Sequence, residues 1–566
     1  MTALNGQALR AFMLAGEGTQ PAPAGFVSSM AGPRGASIHT RPYFFGMNSA
    51  LTTGVRRIVV LGGGSAGWLT AATLAAELGG DRPDALQITL IESPDVPAIG
   101  VGEGTWPTMR ATLQRIGVKE AELIRGCDAA FKQGSCFVGW QHGGAGDRYY
   151  HPFTLPQGWG DADLACAWLQ EAASPSFAEC VTPQAQLCDA ALAPKQTTTL
   201  EFGGVMNYGY HFDAVKLGQL LQRHATTVLG VRHVVDHFTA VRSHENGDIA
   251  ALSTRAHGDL EGDLFIDCSG LASLLLGQHY GVALRSEKGV LFNDSALAVQ
   301  VPHADAGAPL ASATVSTAHA EGWTWDIALP TRRGVGLVYS ASHTDDAQAE
   351  RALLGYIERQ GLSAVEAVPR RLRFQPGYRE RFWHRNCVAV GLAAGFIEPL
   401  EASALALVEL SAAFIRDEMP AGRADMDLVA RRFNEAFAYR WSRIIDFLKL
   451  HYVLNRRDDA DYWRDHRAAS SQPESLRELL QLWAHRAPSR NDFYRAEEVF
   501  PAASYQYVLY GMGMRPAVRP LRADRLAKAQ SCMRDVTTIT RRLLGGLPRH
   551  RDLIQHIREH GMPPAA

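Results

Sequence analysis

The chain has 566 residues, and its 56 Lys and Arg residues against 58 Asp and Glu residues give a formal net charge of −2. This balance provides no broad positive field, so neither nucleic acid nor an anionic membrane surface is an expected partner. No run of about 18 uncharged apolar residues occurs, so no membrane-spanning helix is expected. The eight cysteines are scattered without a Cys-x-x-Cys pair. This pattern predicts no metal site and favours a reducing cytoplasm over a disulfide scaffold.

The first 54 residues differ in composition from the rest of the chain. They are rich in Ala, Gly, Ser and Pro, and Glu17 is their only acid. The short apolar stretch 8–15 contains Arg10 and is a poor apolar core for a signal peptide. We interpret residues 1–54 as a disordered leader, with a natural start at Met47 as the alternative.

A glycine-rich turn at 62–67 follows the apolar run 57–61 and precedes an Ala- and Leu-rich segment, 68–78. A strand, a Gly-x-Gly-x-x-Gly turn and a helix in this order predict a dinucleotide site. The first glycine permits the tight turn, the second lets the backbone approach a pyrophosphate, and the third allows close packing of helix on strand. Free N–H groups at the helix start then face the phosphates. The residues expected there are Gly62, Gly64, Ser65, Ala66 and Gly67.

A second predicted strand, 86–91, ends at Glu92, where an acid that binds the ribose hydroxyls is expected. Two later segments, 263–270 and 388–395, again read as an apolar strand followed by a turn of small residues. Strand ends that return to one nucleotide site fit FAD better than NAD. Because no second Gly-x-Gly-x-x-Gly is present, the reducing equivalents are expected to come from elsewhere.

The order of elements predicts an α/β fold in two parts. Residues 55–400 are expected to form a Rossmann-like FAD-binding domain with inserted substrate-side segments, and residues 401–566 a mainly helical part that completes the substrate pocket. Residues 140–200 read as rich in loops. Helical periodicity is predicted at 107–126, 212–226, 400–418, 426–452, 474–485 and 522–545.

Trp323 and Trp325 alternate along a predicted strand and therefore face the same side. Alone, such a pair is typical of a sheet core. In combination with other motifs, however, the chain resembles the flavin-dependent halogenases of the tryptophan-halogenase family over about residues 55–515. The matching motifs are Gly62-x-Gly-x-x-Gly67, Gly100-Val-Gly-Glu103, Phe131-Lys132, Trp323-x-Trp325-x-Ile327 and Phe396-Ile-Glu-Pro-Leu-Glu401.

The resemblance implies a flavin-monooxygenase-like (GR2-type) fold that uses FAD as FADH2, together with O2 and a chloride or bromide ion. In this family, reduced flavin and oxygen convert the halide to hypohalous acid. The acid crosses a tunnel to a separate pocket and halogenates an electron-rich aromatic ring, such as that of indole or an indole derivative. A separate NAD(P)H-dependent flavin reductase is the implied partner, and a homodimer is left open.

By this resemblance, Lys132 is the residue expected to transfer the halogen. It either donates a hydrogen bond to hypohalous acid as an ammonium or forms a haloamine as a neutral amine. Glu401 matches the second active-site residue, which stabilises the cationic ring, takes up its proton or orients the oxidant. The resemblance also places Gly102, Phe238, Leu392 and Leu405 at the flavin, Ser403 and Ala404 at the halide, His151 and Phe153 at the substrate ring, and Trp323 and Trp325 between flavin and substrate.

Two departures from the family bear on halide and substrate. Ser403-Ala404 replaces the usual Thr-Gly, which keeps a hydroxyl but leaves the backbone less free. The segment 488–500 does not reproduce the pattern of paired tyrosines and a glutamate that holds the charged groups of tryptophan, so an indole-like or larger aromatic is favoured over the free amino acid. Two alternatives remain open, namely a flavin monooxygenase or reductase on the same scaffold and a non-catalytic flavin-binding protein.

Overall fold

The computed structural model describes residues 54–80, 85–96, 102–171, 175–363, 368–495 and 497–565. The leader interpreted at 1–54 lies outside these ranges except for its last residue, and so do the first two residues of the 100–103 motif. Within the described ranges, the strands form five sheets.

A six-stranded sheet carries the glycine-rich turn. Its central strand, Arg57–Leu61, pairs in parallel with Gln87–Glu92 on one side and with Leu264–Asp267 on the other. The apolar residues of these strands are buried, as expected where helices cover both faces of a parallel sheet. Cys387–Ala389 adds to Leu264–Asp267, so the later strand ends return to the first turn as the sequence predicts. The spatial order is Trp383–His384, Cys387–Ala389, Leu264–Asp267, Arg57–Leu61, Gln87–Glu92 and Arg232–Val235.

A seven-stranded, mostly antiparallel sheet holds the tryptophan pair. The strand Gly322–Ala328 is buried along its whole length and pairs with Arg332–Tyr339. Sequence analysis recognised the first of these strands but not the sheet, because its members are scattered along the chain and several are buried on both faces. The spatial order is Arg370–Arg373, Ser295–Pro302, Arg332–Tyr339, Gly322–Ala328, Thr314–Ala318, Gly134–Val138 and Arg148–Pro152.

Three small sheets complete the strands, and one of them carries Lys132 at the end of Ala130–Lys132. In spatial order they are Glu103–Gly104, Gly209–Phe212 and Ala130–Lys132; Gly258–Glu261, Ile249–Thr254 and Phe238–Ser243; and Leu284–Ser286, Gly377–Arg379 and Gly395–Phe396.

The helix Ser65–Leu78 starts at the glycine-rich turn and packs against Ala214–Thr227 and Ser403–Asp417. The second of these contacts joins the C-terminal helices to the part of the chain that carries the glycine-rich turn. The other α-helices are Thr108–Ile116, Glu120–Gly126, Leu164–Gln170, Phe177–Val181, Gln184–Asp189, Asp346–Arg359, Arg423–Val453, Asp461–Arg467, Glu474–Trp483, Ala502–Gly511, Ala523–Gly546 and His550–His560.

One helix prediction needed correction. The predicted helix 107–126 is two helices, because Gly117 adopts the left-handed conformation (φ 83°) that ends the first. Most described residues of 140–200 lie outside helices and strands, as expected, and the segment also contains the strand Arg148–Pro152 and three short helices. None of the helices in the described part of the chain is long and apolar enough to cross a membrane. Nor do the described residues bring together three or more His, Cys, Asp or Glu in an arrangement that could hold a metal ion.

Candidate active site

The glycine-rich turn is shaped to receive a pyrophosphate. Gly62 has φ 121°, and a Cβ there would lie 2.2 Å from the carbonyl oxygen of Cys268. A Cβ on Gly67 would lie 1.9 Å from the carbonyl oxygen of Gly62. At Gly64, by contrast, a Cβ would meet no atom within 4 Å, so the backbone borders open space. Two glycines are therefore needed for close packing and the third for approach of a ligand, which fits FAD.

Glu92 stands beside this turn at the end of its strand. A Cβ on Gly63 would lie 2.6 Å from Glu92 Oε1, and Oε2 of the same carboxylate is 2.8 Å from His233 Nε2. The geometry suits a carboxylate that binds ribose hydroxyls. Phe238 begins the strand that follows Asp236, whose N–H donates to the Glu92 carbonyl oxygen, so Phe238 lies two residues along the chain from this contact.

Leu392 and Leu405 lie on two elements that approach the helix Ser65–Leu78. Leu392 lies in the turn Gly391–Ala393, where a Cβ on Gly391 would be 2.8 Å from Cβ of Ala66. Leu405 lies in the first turn of Ser403–Asp417, the helix that packs on Ser65–Leu78. A Cβ on Gly102 would lie 3.8 Å from Cγ2 of Ile327, so the described end of the 100–103 motif approaches the tryptophan-bearing strand.

Lys132 is almost completely buried, with 1% of its surface exposed. A Cβ on Gly104 would lie 3.0 Å from Nζ, so glycine at that position leaves room for the lysine. Nζ lies 5.4 Å from the centre of the Phe153 ring, and the described residues offer it no hydrogen-bond acceptor. Burial lowers the pKa of Lys132 to about 8, and nearby Glu401 partly opposes that shift.

Glu401 is held by three side chains from three different elements. His151 Nδ1 lies 2.8 Å from Oε1, Ser135 Oγ donates to Oε2 at 3.2 Å, and His451 Nε2 lies 3.4 Å from Oε1. Burial alone would raise the pKa of Glu401, but the two histidines outweigh it and hold the pKa well below its usual value. A carboxylate with several donors stays ionised even when it is buried.

The backbone at Glu401 is also unusual. Glu401 and Ala402 both adopt the left-handed conformation, with φ of 62° and 55°. For residues other than glycine this conformation costs about 1–2 kcal/mol each. Trp106 Nε1 donates to the Glu401 carbonyl oxygen at 2.8 Å and helps to hold the turn. Strained non-glycine residues cluster at functional sites, and these two lie directly before the helix that begins at Ser403.

That helix begins at Ser403, and no side chain caps its first N–H groups. The first four N–H groups of a helix lack acceptors within it, and the dipole places partial positive charge there. Ser403 is buried and Ala404 is exposed, so this end of the helix borders open space. The sequence-predicted halide residues therefore stand at a site suited to an anion.

Trp323 and Trp325 face the same side of the seven-stranded sheet, with ring centres 6.4 Å apart. A Cβ on Gly336, the residue opposite Trp325 on the next strand, would lie 2.1 Å from the Trp325 ring. The ring therefore packs directly on the backbone of that strand. Trp323 Nε1 lies 3.5 Å from Oε2 of Glu398, three residues before Glu401. The pair forms a fixed, buried aromatic layer beside the Glu401 turn.

His151 and Phe153 lie on either side of the site. Phe153 faces Lys132, in keeping with a role at the substrate ring. Nδ1 of His151 is hydrogen-bonded to Glu401, and Nε2 of the same ring lies 2.9 Å from Ser504 Oγ. Its ring thus touches the expected catalytic carboxylate, a contact that sequence analysis did not predict.

Sequence analysis missed four polar side chains near Glu401: Ser135, Tyr149, His451 and Ser504. None belongs to a local motif, and each reaches the carboxylate directly or through a histidine. The signal for His451 was weak, namely a single histidine near the end of a long helix whose buried residues are mostly apolar. Ser135 was visible only as the third residue after Lys132.

Comparison with known proteins identifies the family. The family model described as tryptophan halogenase matches residues 57–529. The chain belongs to the tryptophan halogenase family. Among solved structures, a tryptophan halogenase from Shewanella frigidimarina shares 47% identity with a TM-score of 0.88, covering 91% of this chain and 99% of that protein. Tar14, a tryptophan C-6 flavin-dependent halogenase (chlorinase) from taromycin biosynthesis, shares 32% with a TM-score of 0.83, covering 89% and 100%.

The tryptophan 6-halogenase SttH of Streptomyces toxytricini is 32% identical over 85% of this chain and 94% of that protein. These matches confirm both the resemblance and the fold. The protein is a flavin-dependent halogenase with a Rossmann-like FAD-binding α/β part and a helical C-terminal part. Membership implies FAD and a halide ion, and the family acts with a flavin reductase on an aromatic substrate.

Proposed function

We propose that this halogenase chlorinates or brominates a ring carbon of indole or an indole derivative, with Lys132 and Glu401 as its catalytic residues. The observation that carries the proposal is the pairing of a buried ammonium, to which the described residues offer no acceptor, with a buried carboxylate fixed by donors. The Lys132 ammonium activates the oxidant, and the Glu401 carboxylate stabilises the positive charge that develops on the ring.

When bound, reduced FAD would activate O2, and O2 would supply the oxidising equivalents that convert halide to hypohalous acid. Gly62, Gly64 and Gly67 would receive the pyrophosphate, and Glu92 the ribose. The N–H groups at the start of the helix Ser403–Asp417 would hold the halide. A separate NAD(P)H-dependent reductase is proposed as the source of FADH2, because the described chain carries one dinucleotide turn.

The Lys132 ammonium donates a hydrogen bond to the oxygen of hypohalous acid and so polarises the oxygen–halogen bond. The ring carbon forms its bond to the halogen as that bond breaks. The leaving hydroxide takes a proton from Lys132 and becomes water. Because the pKa of Lys132 is about 8, the ammonium predominates at pH 7 and the protonated form is the one that acts.

The cationic ring then loses its proton to Glu401. A carboxylate whose pKa is held low is a weak base, but a protonated arene is a far stronger acid and transfers its proton readily. The same low pKa lets Glu401 return that proton to the neutral amine of Lys132. The cycle converts an aromatic C–H and hypohalous acid into an aryl halide and water, with both residues restored.

The substrate is proposed to lack the charged groups of an α-amino acid. In the segment 488–500, Asp492 is ion-paired with Arg486 and accepts from Trp483 Nε1 at 2.9 Å. Glu498 accepts from the Tyr439 hydroxyl. These two acids are thus already bound, and a zwitterion would be desolvated there without compensation.

The test is mass spectrometry of reactions with indole and L-tryptophan, in chloride and in bromide, with a flavin reductase regenerating FADH2. The expected product from indole carries a halogen isotope pattern that disappears in Lys132→Ala while FAD still binds. A halogenated product that persists in Lys132→Ala would overturn the role of Lys132. A product that gains oxygen instead would favour the monooxygenase alternative.

A further inference from the structure

A fully buried histidine faces the proposed catalytic carboxylate from the long C-terminal helix. His451 lies on Arg423–Val453, and its Nε2 is 3.4 Å from Glu401 Oε1. A typical N–H···O bond is about 2.7–3.2 Å long, so this contact is long. Among the described residues no group, Glu401 included, meets hydrogen-bond geometry with Nε2, so this nitrogen is close to the carboxylate but not bonded to it. Catalytic hydrogen bonds are often long before substrate binds and shorten in the complex.

The hydrogen bond at Nδ1 of His451 determines which ring nitrogen carries the proton. The Tyr149 hydroxyl lies 2.6 Å from His451 Nδ1, its only described hydrogen-bond partner. Burial raises the pKa of Tyr149, so the hydroxyl keeps its proton and donates it. Burial also lowers the pKa of His451, which favours a neutral ring with one donor and one acceptor nitrogen. Because Nδ1 accepts from Tyr149, the ring proton is on Nε2 and faces Glu401.

Both rings are fixed by aromatic packing. Phe137 stacks on Tyr149 at 4.7 Å and on His451 at 4.6 Å between ring centres, and Phe447 meets His451 edge-on at 5.5 Å. A Cβ on Gly511 would lie 2.5 Å from the Tyr149 ring, so this glycine lets Tyr149 pack against the backbone. The orientation of the Nε2–H bond is therefore set before substrate arrives.

We propose that Tyr149 and His451 form a positioning pair for Glu401, in which Tyr149 fixes the Nε2–H tautomer of His451 and His451 directs that N–H at the carboxylate. With His151 and Ser135, this donor fixes the carboxylate in the orientation that meets Lys132 and the ring cation. The inference rests on the role proposed for Glu401. It adds two residues that neither touch the substrate nor belong to the recognised motifs.

Two amide variants separate the nitrogens of His451. In His451→Gln, the amide nitrogen falls near the position of Nε2 and keeps a donor towards Glu401. In His451→Asn, the amide falls near Nδ1, so the bond with Tyr149 survives and the donor to Glu401 is lost. Because a hydrogen bond to a charged group is involved, we expect His451→Asn to lower kcat by about 10- to 100-fold with KM unchanged. We expect His451→Gln to retain most of the wild-type kcat.

A second readout needs neither flavin nor turnover. In protein labelled with ¹⁵N-histidine, the ring nitrogens of His451 report the tautomer, and the signals are assigned from their loss in His451→Gln. We expect a protonated Nε2 in the wild type and a mixture of tautomers in Tyr149→Phe, which removes only the hydroxyl. A proton on Nδ1 in the wild type, or full kcat in His451→Asn, would overturn the proposal. If the wild type makes no halogenated product, the proposed function fails instead, and the tautomer measurement still stands.

Discussion

Replacing Lys132 by methionine should stabilise the protein while it abolishes halogen transfer. Burial lowers the pKa of Lys132 from its usual 10.5 to about 8. Below pH 8 both the folded and the unfolded chain carry the proton, so the folded state bears the full cost of the buried charge. At 1.36 kcal/mol per pKa unit, that cost is about 3 kcal/mol at pH 7. Methionine has a similar length but no charge, so the substitution removes this cost.

The sign of the pH dependence is a further check. Between pH 8 and 10.5 the unfolded chain keeps the proton that the folded chain has lost, so the wild type gains stability relative to the variant as pH rises. Urea unfolding of the wild type and Lys132→Met at pH 7 and at pH 10 measures this difference. Lys528→Met, at an exposed position, serves as the control and should change stability by less than about 0.5 kcal/mol. A Lys132→Met protein no more stable than the wild type at pH 7, or a difference that does not shrink by pH 10, would refute the reasoning.

Four other predictions concern activity and binding. Because the ammonium form of Lys132 is the proposed donor, single-turnover halogenation should fall about tenfold per pH unit above pH 8; a rate that rises through pH 8 would instead indicate a haloamine. Glu401→Gln should lower kcat by about 10²–10³-fold, measured at saturating indole, since it removes the charge that faces the ring cation; an unchanged kcat would exclude this role. Gly336→Ala should displace Trp325, because the new Cβ would lie 2.1 Å from its ring, and should raise the share of NADH consumed without halogenated product. Gly67→Ala should weaken FAD binding at least tenfold by titration, because its Cβ would lie 1.9 Å from a backbone carbonyl oxygen; unchanged affinity would contradict the geometry of the turn.

The parts of the site that were predictable from sequence are those encoded over short distances. Gly62, Gly64 and Gly67 fall within one turn between a strand and a helix, and the close approaches at Gly62 and Gly67 explain why glycine is required there. Trp323 and Trp325 alternate on one strand, and that alternation alone places both rings on one face.

The contacts around Glu401 could not be read in this way. Ser135, His151 and His451 come from two strands and a helix, and only the tertiary fold brings them to one carboxylate. Local patterns carry no information about such long-range convergence. The single helix predicted over 107–126 was wrong for a different reason. Helical periodicity continues across Gly117, but this glycine adopts φ 83° and ends the first helix.

The turn at Glu401 and Ala402 has a consequence for engineering this enzyme. Replacing Ala402 by glycine would relieve left-handed strain, so a search for thermostable variants would favour that change. The same change would let the turn relax into several backbone conformations and would loosen the carboxylate that it presents. Screens for heat resistance should therefore hold residues 401–402 and Lys132 constant and draw their changes from positions away from this site.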